Sequence, residues 1–79
     1  MKNIRIRVTD NGTIVVVADS KRFGENAIMY EDRTFLRCCD YIRKAIQQNH
    51  FQISGVPWMV GTFTDADGRT MPREMWVHF

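Results

Sequence analysis

Ile4, Ile6 and Val8 alternate with Arg5 and Arg7, and Asn3 and Thr9 continue the polar phase on either side. A period of two is the signature of a half-buried strand. Asn11-Gly12 follows, the pair best suited to a tight hairpin turn because both residues tolerate positive φ. The return strand is expected over Thr13 to Ala18, where Ile14, Val15, Val16 and Val17 form an unbroken β-branched run. A two-residue turn would set Val8 opposite Val15 and Ile6 opposite Val17 on the core side. Arg7 beside Val16 and Thr9 beside Ile14 would then occupy the other side. A strand that is apolar on both faces belongs in the middle of a sheet, or its second face meets something.

Asp19 to Asn26 is polar, contains Gly24 and reads as a loop. Ala27 to Glu31 gives a short third strand carrying Ile28 and Tyr30. Thr34 or Asp32 can then cap a helix. Phe35, Cys38, Cys39, Ile42, Ala45 and Ile46 recur at three- and four-residue spacing, an apolar stripe that runs out around Asn49. Arg37, Asp40, Lys44 and Gln48 mark the opposite side, with Asp40 and Lys44 spaced to pair at i,i+4. Cys39 is expected at the centre of the stripe and Cys38 at its edge.

Phe51 and Ile53 alternate again before Ser54-Gly55, and Pro57 restricts the strand after it to an edge or an irregular start. Trp58 to Thr64 and Arg73 to Phe79 flank Asp67-Gly68 as a second hairpin. A two-residue turn there would pair Trp58 with Val77 and Met59 with Trp76. A three-residue loop over Ala66-Asp67-Gly68, the preferred geometry, pairs Trp58 with Trp76 and Met59 with Met75. In both, Met75, Val77 and Phe79 share one face and Trp76 takes the other. The expected fold is therefore α+β. It has an antiparallel sheet of four or five strands (hairpin, short third strand, one helix, hairpin) with the helix packed on one face, as a single compact domain over residues 1–79.

Composition changes this picture little. The 79 residues are 44% hydrophobic and 25% charged, the balance of a globular chain. A domain this small buries only about 60–65% of its unfolded surface, so a partner subunit could add stability. Eleven Lys and Arg are interleaved with nine Asp and Glu for a net charge of +2, without the one-sided concentration of a dedicated nucleic-acid binder. No long apolar run and no signal-like segment after Met1 point to a membrane or to export. Cys38 and Cys39 are the only cysteines, and adjacent helical side chains diverge too far to bridge. They read as reduced thiols in a cytoplasmic protein.

Candidate chemistry is sparse. Neither cysteine has a base and an orienter in the sequence pattern that nucleophilic catalysis needs. Both are expected to be structural, and His50 is placed just beyond the helix end, where its charge would suit the dipole. Asp65-Ala66-Asp67-Gly68 begins like a calcium loop, but the twelfth position, which should be glutamate, is Trp76. A turn is the ordinary use of Asp-Gly. Glycines are isolated, so no phosphate loop is expected. The expectation is no enzyme, no metal, no cofactor and no small-molecule substrate.

The apolar surplus is the stronger lead. Trp76, Trp58, Met59, Ile14 and Val16 are candidates for a contact surface on the sheet face away from the helix, because Trp and Met are enriched in interface centres. The expected function is a non-catalytic protein-binding module, of the kind of small inhibitors encoded by mobile elements or phages, or of accessory subunits that cover a surface of a larger assembly. Its partner would be another protein or a second copy of itself. The alternative is nucleic-acid binding through Arg5, Arg7, Lys21 and Arg22 of the first hairpin and Arg33, Arg37 and Lys44 of the exposed helix side.

Overall fold

The computed structural model describes residues 2–49 and 57–78. The expectations for His50, Phe51, Ile53, Ser54-Gly55 and Phe79 lie outside the described residues. Strands β1 (Lys2–Val8), β2 (Ile14–Ser20) and β3 (Gly24–Asp32) precede helix α1 (Phe35–Asn49), which is followed by β4 (Trp58–Thr64) and β5 (Thr70–His78). All neighbours are antiparallel in one five-stranded sheet of order β3-β2-β1-β5-β4, with α1 on one face. The α+β expectation holds. β3 is longer than expected and absorbs part of the segment read as a loop, whereas β4, with Pro57 before it, is an edge as Pro57 suggested.

Both hairpins close in the same way. The Thr9 N–H donates to the Thr13 carbonyl (2.8 Å) and the Gly12 N–H to the Thr9 carbonyl (3.0 Å), leaving Asp10, Asn11 and Gly12 as the loop. Asp65 and Arg69 repeat this around Ala66, Asp67 and Gly68, at 2.9 and 3.1 Å. The last loop residue must be left-handed, and Gly12 (φ 84°) and Gly68 (φ 79°) supply that at no steric cost. In the second hairpin the preferred register is found, with Trp58 opposite Trp76 and Met59 opposite Met75. In the first it corrects the expectation. The extra loop residue pairs Val8 with Ile14 and Ile6 with Val16, one position away from a two-residue turn. A one-residue slip sends every side chain of the strand to the other face.

Ile14 and Val16 are therefore core residues, each 1% exposed, and not part of an outer surface. They join Ile4, Ile6, Val8, Ala18 and Val77 beneath Cys38 and Ile42 of the helix. Val15 and Val17 take the opposite face, yet are also buried. Thr34 precedes the first helical turn; its carbonyl accepts from the Arg37 and Cys38 N–H groups (3.2 and 3.3 Å), and its own N–H donates to Asp32 Oδ1 (2.8 Å). Tyr41 belongs to the buried stripe and stacks on Tyr30 with ring centroids 4.8 Å apart. Adding Tyr41 rotates the centre of the stripe, at about 100° per residue, to lie between Cys38 and Ile42. The cysteine order is thus the reverse of that expected: Cys38 is fully buried and Cys39 only half-buried. Asp40 pairs with Arg43 (3.2 Å) at i,i+3, and no Lys44 pair is formed with it.

Candidate functional site

Register fixes what the helix-free face displays. One cross-strand row runs through all five strands as Ile28, Val17, Arg5, Trp76 and Trp58. The next row is Glu31, Val15, Arg7, Glu74 and Val60. The first row is apolar or aromatic except for its central arginine. The second sets Arg7 directly opposite Glu74.

Arg5 is only 5% exposed, so its charge needs partners inside the protein. Its guanidinium donates to the Asn3 carbonyl (2.5 Å) and to Asn26 Oδ1, and lies 3.6 Å from Asp19 Oδ1. It also sits over the Trp76 ring, 4.7 Å from the centroid, a cation–π geometry. Two irregularities create this setting. Asn3 (φ 55°) and Asn26 (φ 57°) adopt the left-handed conformation that asparagine tolerates, near register shifts in β1 and β3. Their positions bring the Asn3 amide 2.7 Å from Asp19 Oδ2 and the Asn26 N–H 3.0 Å from Asp19 Oδ1. The Asn26 backbone bond, then the Asn3 amide, hold the Asp19 carboxyl below its ordinary range.

Trp76 is half-buried, its indole N–H donates to Glu74 Oε1 (2.9 Å), and its ring lies 6.4 Å from that of Trp58, tilted by 47°. Trp58 is 59% exposed, and Val60, two residues on along the same face of β4, is 42% exposed. The Arg5 guanidinium over its ring and the hydrogen bond to Glu74 orient Trp76 beside Trp58. Met59 is exposed as well, but it shares the face of Met75 and lies on the other side of β4.

Of the five apolar candidates, the fold brings together Trp76 and Trp58, separates Met59 from them, and removes Ile14 and Val16 to the core. Val60 and Ile28 were missed. Val60 was legible from parity, since it alternates with Trp58, whereas Ile28 depended on the pairing of β3. The basic candidates divide among separate places. Arg5 is enclosed, Arg7 stands on the open face, Lys21 and Arg22 are exposed at the β2–β3 turn, and Arg33, Arg37 and Lys44 are exposed at or near the helix. Arg37 is 3.8 Å from Asp32.

Among the described residues no three His, Cys, Asp or Glu side chains group as metal ligands, and no helix is long and apolar enough to cross a membrane. The calcium-like loop uses its first carboxylate locally, with Asp65 Oδ1 accepting from the N–H groups of Asp67 and Arg69, both at 2.9 Å. Comparison with family models, curated proteins and solved structures gives no match to this chain.

Proposed function

We propose that this chain is a non-catalytic protein-binding module, an inhibitor or accessory subunit that covers a surface of a larger protein with the helix-free face of its sheet. The observation that carries this reading is the Trp58–Trp76 pair beside Val60, an aromatic anchor held in place by the Arg5 guanidinium and the Glu74 carboxylate. An aromatic side chain already held by such contacts loses little conformational freedom on binding, and Trp is enriched among the residues that dominate interface energetics. Arg7 and Glu74 in the neighbouring row supply a polar rim. Nucleic-acid binding has less support, because Arg5 is committed internally and the other basic candidates are spread over separate surfaces.

The test is affinity capture with the wild-type chain, followed by calorimetric titration of the identified partner. Trp58→Ala is expected to weaken that complex by about 2 kcal/mol or more, while thermal stability changes little because the ring is mainly exposed. Unchanged affinity in a folded Trp58→Ala variant would remove the open face from the interface.

A further inference from the structure

We propose that Asn11 is a site of spontaneous deamidation that the folded β1–β2 hairpin holds in check, so that its side-chain amide is lost only when the loop opens. This concerns a loop and not the sheet face discussed above, so the two readings stand or fall separately.

Asn11 is exposed in the loop, and the residue after it is glycine, whose backbone nitrogen has no Cβ beside it to obstruct an approach. The other asparagines, Asn3, Asn26 and Asn49, are followed by Ile4, Ala27 and His50, each of which sets a side chain beside the corresponding nitrogen. The reaction needs no partner but water. The Gly12 nitrogen gives its proton to solvent and attacks Cγ of Asn11. The N–Cγ bond forms, the Cγ–Nδ2 bond breaks, and Nδ2 takes a proton from solvent and leaves as ammonia. Water then opens the cyclic imide at either carbonyl. One opening gives aspartate, and the other gives isoaspartate, in which the main chain passes through Cβ and Cγ and is longer by a carbon.

In the folded loop both reacting groups are occupied. The Gly12 N–H donates to the Thr9 carbonyl (3.0 Å), and Asn11 Oδ1 accepts from the Thr13 N–H (3.1 Å). Removing the Gly12 proton would leave an anionic nitrogen facing the Thr9 carbonyl oxygen, and turning the Asn11 side chain toward Gly12 breaks the bond to Thr13. The loop is also braced by the second hairpin. Asp10 Oδ1 lies 3.7 Å from Arg73 Nη2, and a Cβ at Gly12 would stand 4.0 Å from the Phe63 ring. Cyclisation therefore follows a local opening of the hairpin, and its rate reports how often that opening occurs. The two products differ in what they do to the fold. Aspartate keeps an oxygen that can accept from the Thr13 N–H. Isoaspartate lengthens the loop that sets Val8 opposite Ile14, a buried pair whose register decides which face of β2 meets the helix.

Incubation of the full chain at mildly alkaline pH, with and without denaturing urea, tests the proposal, with peptide mapping by mass spectrometry to read the amide-to-acid change at each asparagine. In urea, Asn11 is expected to convert ahead of Asn3, Asn26 and Asn49. In the native chain its conversion should be slower by about tenfold or more, since only the opened fraction reacts. Asn11→Asp should fold with little change in thermal stability, because the acceptor for Thr13 is retained. Equal rates at Asn11 in the native and unfolded chains overturn the protection, and the absence of any preference for Asn11 in urea overturns the site. A loss of fold in Asn11→Asp would contradict the role given to Oδ1, and the wild-type rates would still decide whether the hairpin protects the residue.

Discussion

Cys38 and Cys39 are neighbours in sequence and strangers in environment. The Cys38 thiol is enclosed between helix and sheet, 3.8 Å from the Ile14 carbonyl to which it can donate. Burial, reinforced by the Asp32 charge, pushes it up to about 11. Cys39 is also raised by burial, but it is half-exposed beside an apolar groove of roughly 340 Å³. Maleimide attacks the thiolate, so native-state alkylation should modify Cys39 first, with peptide mapping to read the order; faster labelling of Cys38 would mean that the helix is rotated from its described position. The contrast was legible in the spacing, because at about 100° per residue Cys39 falls at one end of the arc from Ala45 to Cys39 while Cys38 lies inside it, and Tyr41 only moves the centre further toward Cys38. Asp19 makes a second expectation at this scale. Its folded-state value lies below that of the unfolded chain. Its contribution is therefore complete above the ordinary carboxylate range near pH 4 and is lost as pH falls through the folded value. Asp19→Asn should flatten the acid limb of a stability–pH curve measured by denaturation, and an unaltered limb would show that the carboxylate network is not formed in solution.

At the scale of elements, the helix rests on the sheet through a stripe centred on Cys38 and Ile42. Ile42 is 6% exposed, and Ile42→Ala should cost about 2–4 kcal/mol by opening a cavity under the helix. Lys44 is on the exposed side, and Lys44→Ala should change stability by less than about 0.5 kcal/mol. Urea denaturation separates the two, and equal losses would contradict the assigned face. Periodicity located all these elements, because helix and strand periods are local properties of side-chain spacing. Register was harder. Asn11-Gly12 fits a two-residue turn by residue type, yet the Thr9–Thr13 closure inserts Asp10 and exchanges the faces of β2. Val15 and Val17 are as apolar as Ile14 and Val16, so the β2 pattern could not report the slip. In the second hairpin the Asp67-Gly68 loop type predicts the observed pairs of Trp58 with Trp76 and Met59 with Met75, but that same register takes Met59 off the open face on which it is expected.

For the whole molecule, the decisive fact is the strand order. β1 is flanked by β2, which follows it directly, and by β5, which comes from the far end of the described chain. No local pattern shows that Arg5 lies beside Trp76, so a residue read as a surface cation proves to be the enclosed centre of the open face. That placement also orders events in time. β1, β2, β3 and α1 can associate while β5 is still being synthesised, leaving one side of β1 bare. Closing the β1–β5 ladder spans nearly the whole chain, and such non-local pairing bears the loop-closure entropy before it gains contacts, which makes it slow. The β4–β5 hairpin sets Trp76 beside Trp58 locally, but only that late step brings Arg5 against the Trp76 ring. A half-folded chain therefore holds the two tryptophans without the cation that packs against them, and the row across the open face is complete only when β5 has docked on β1.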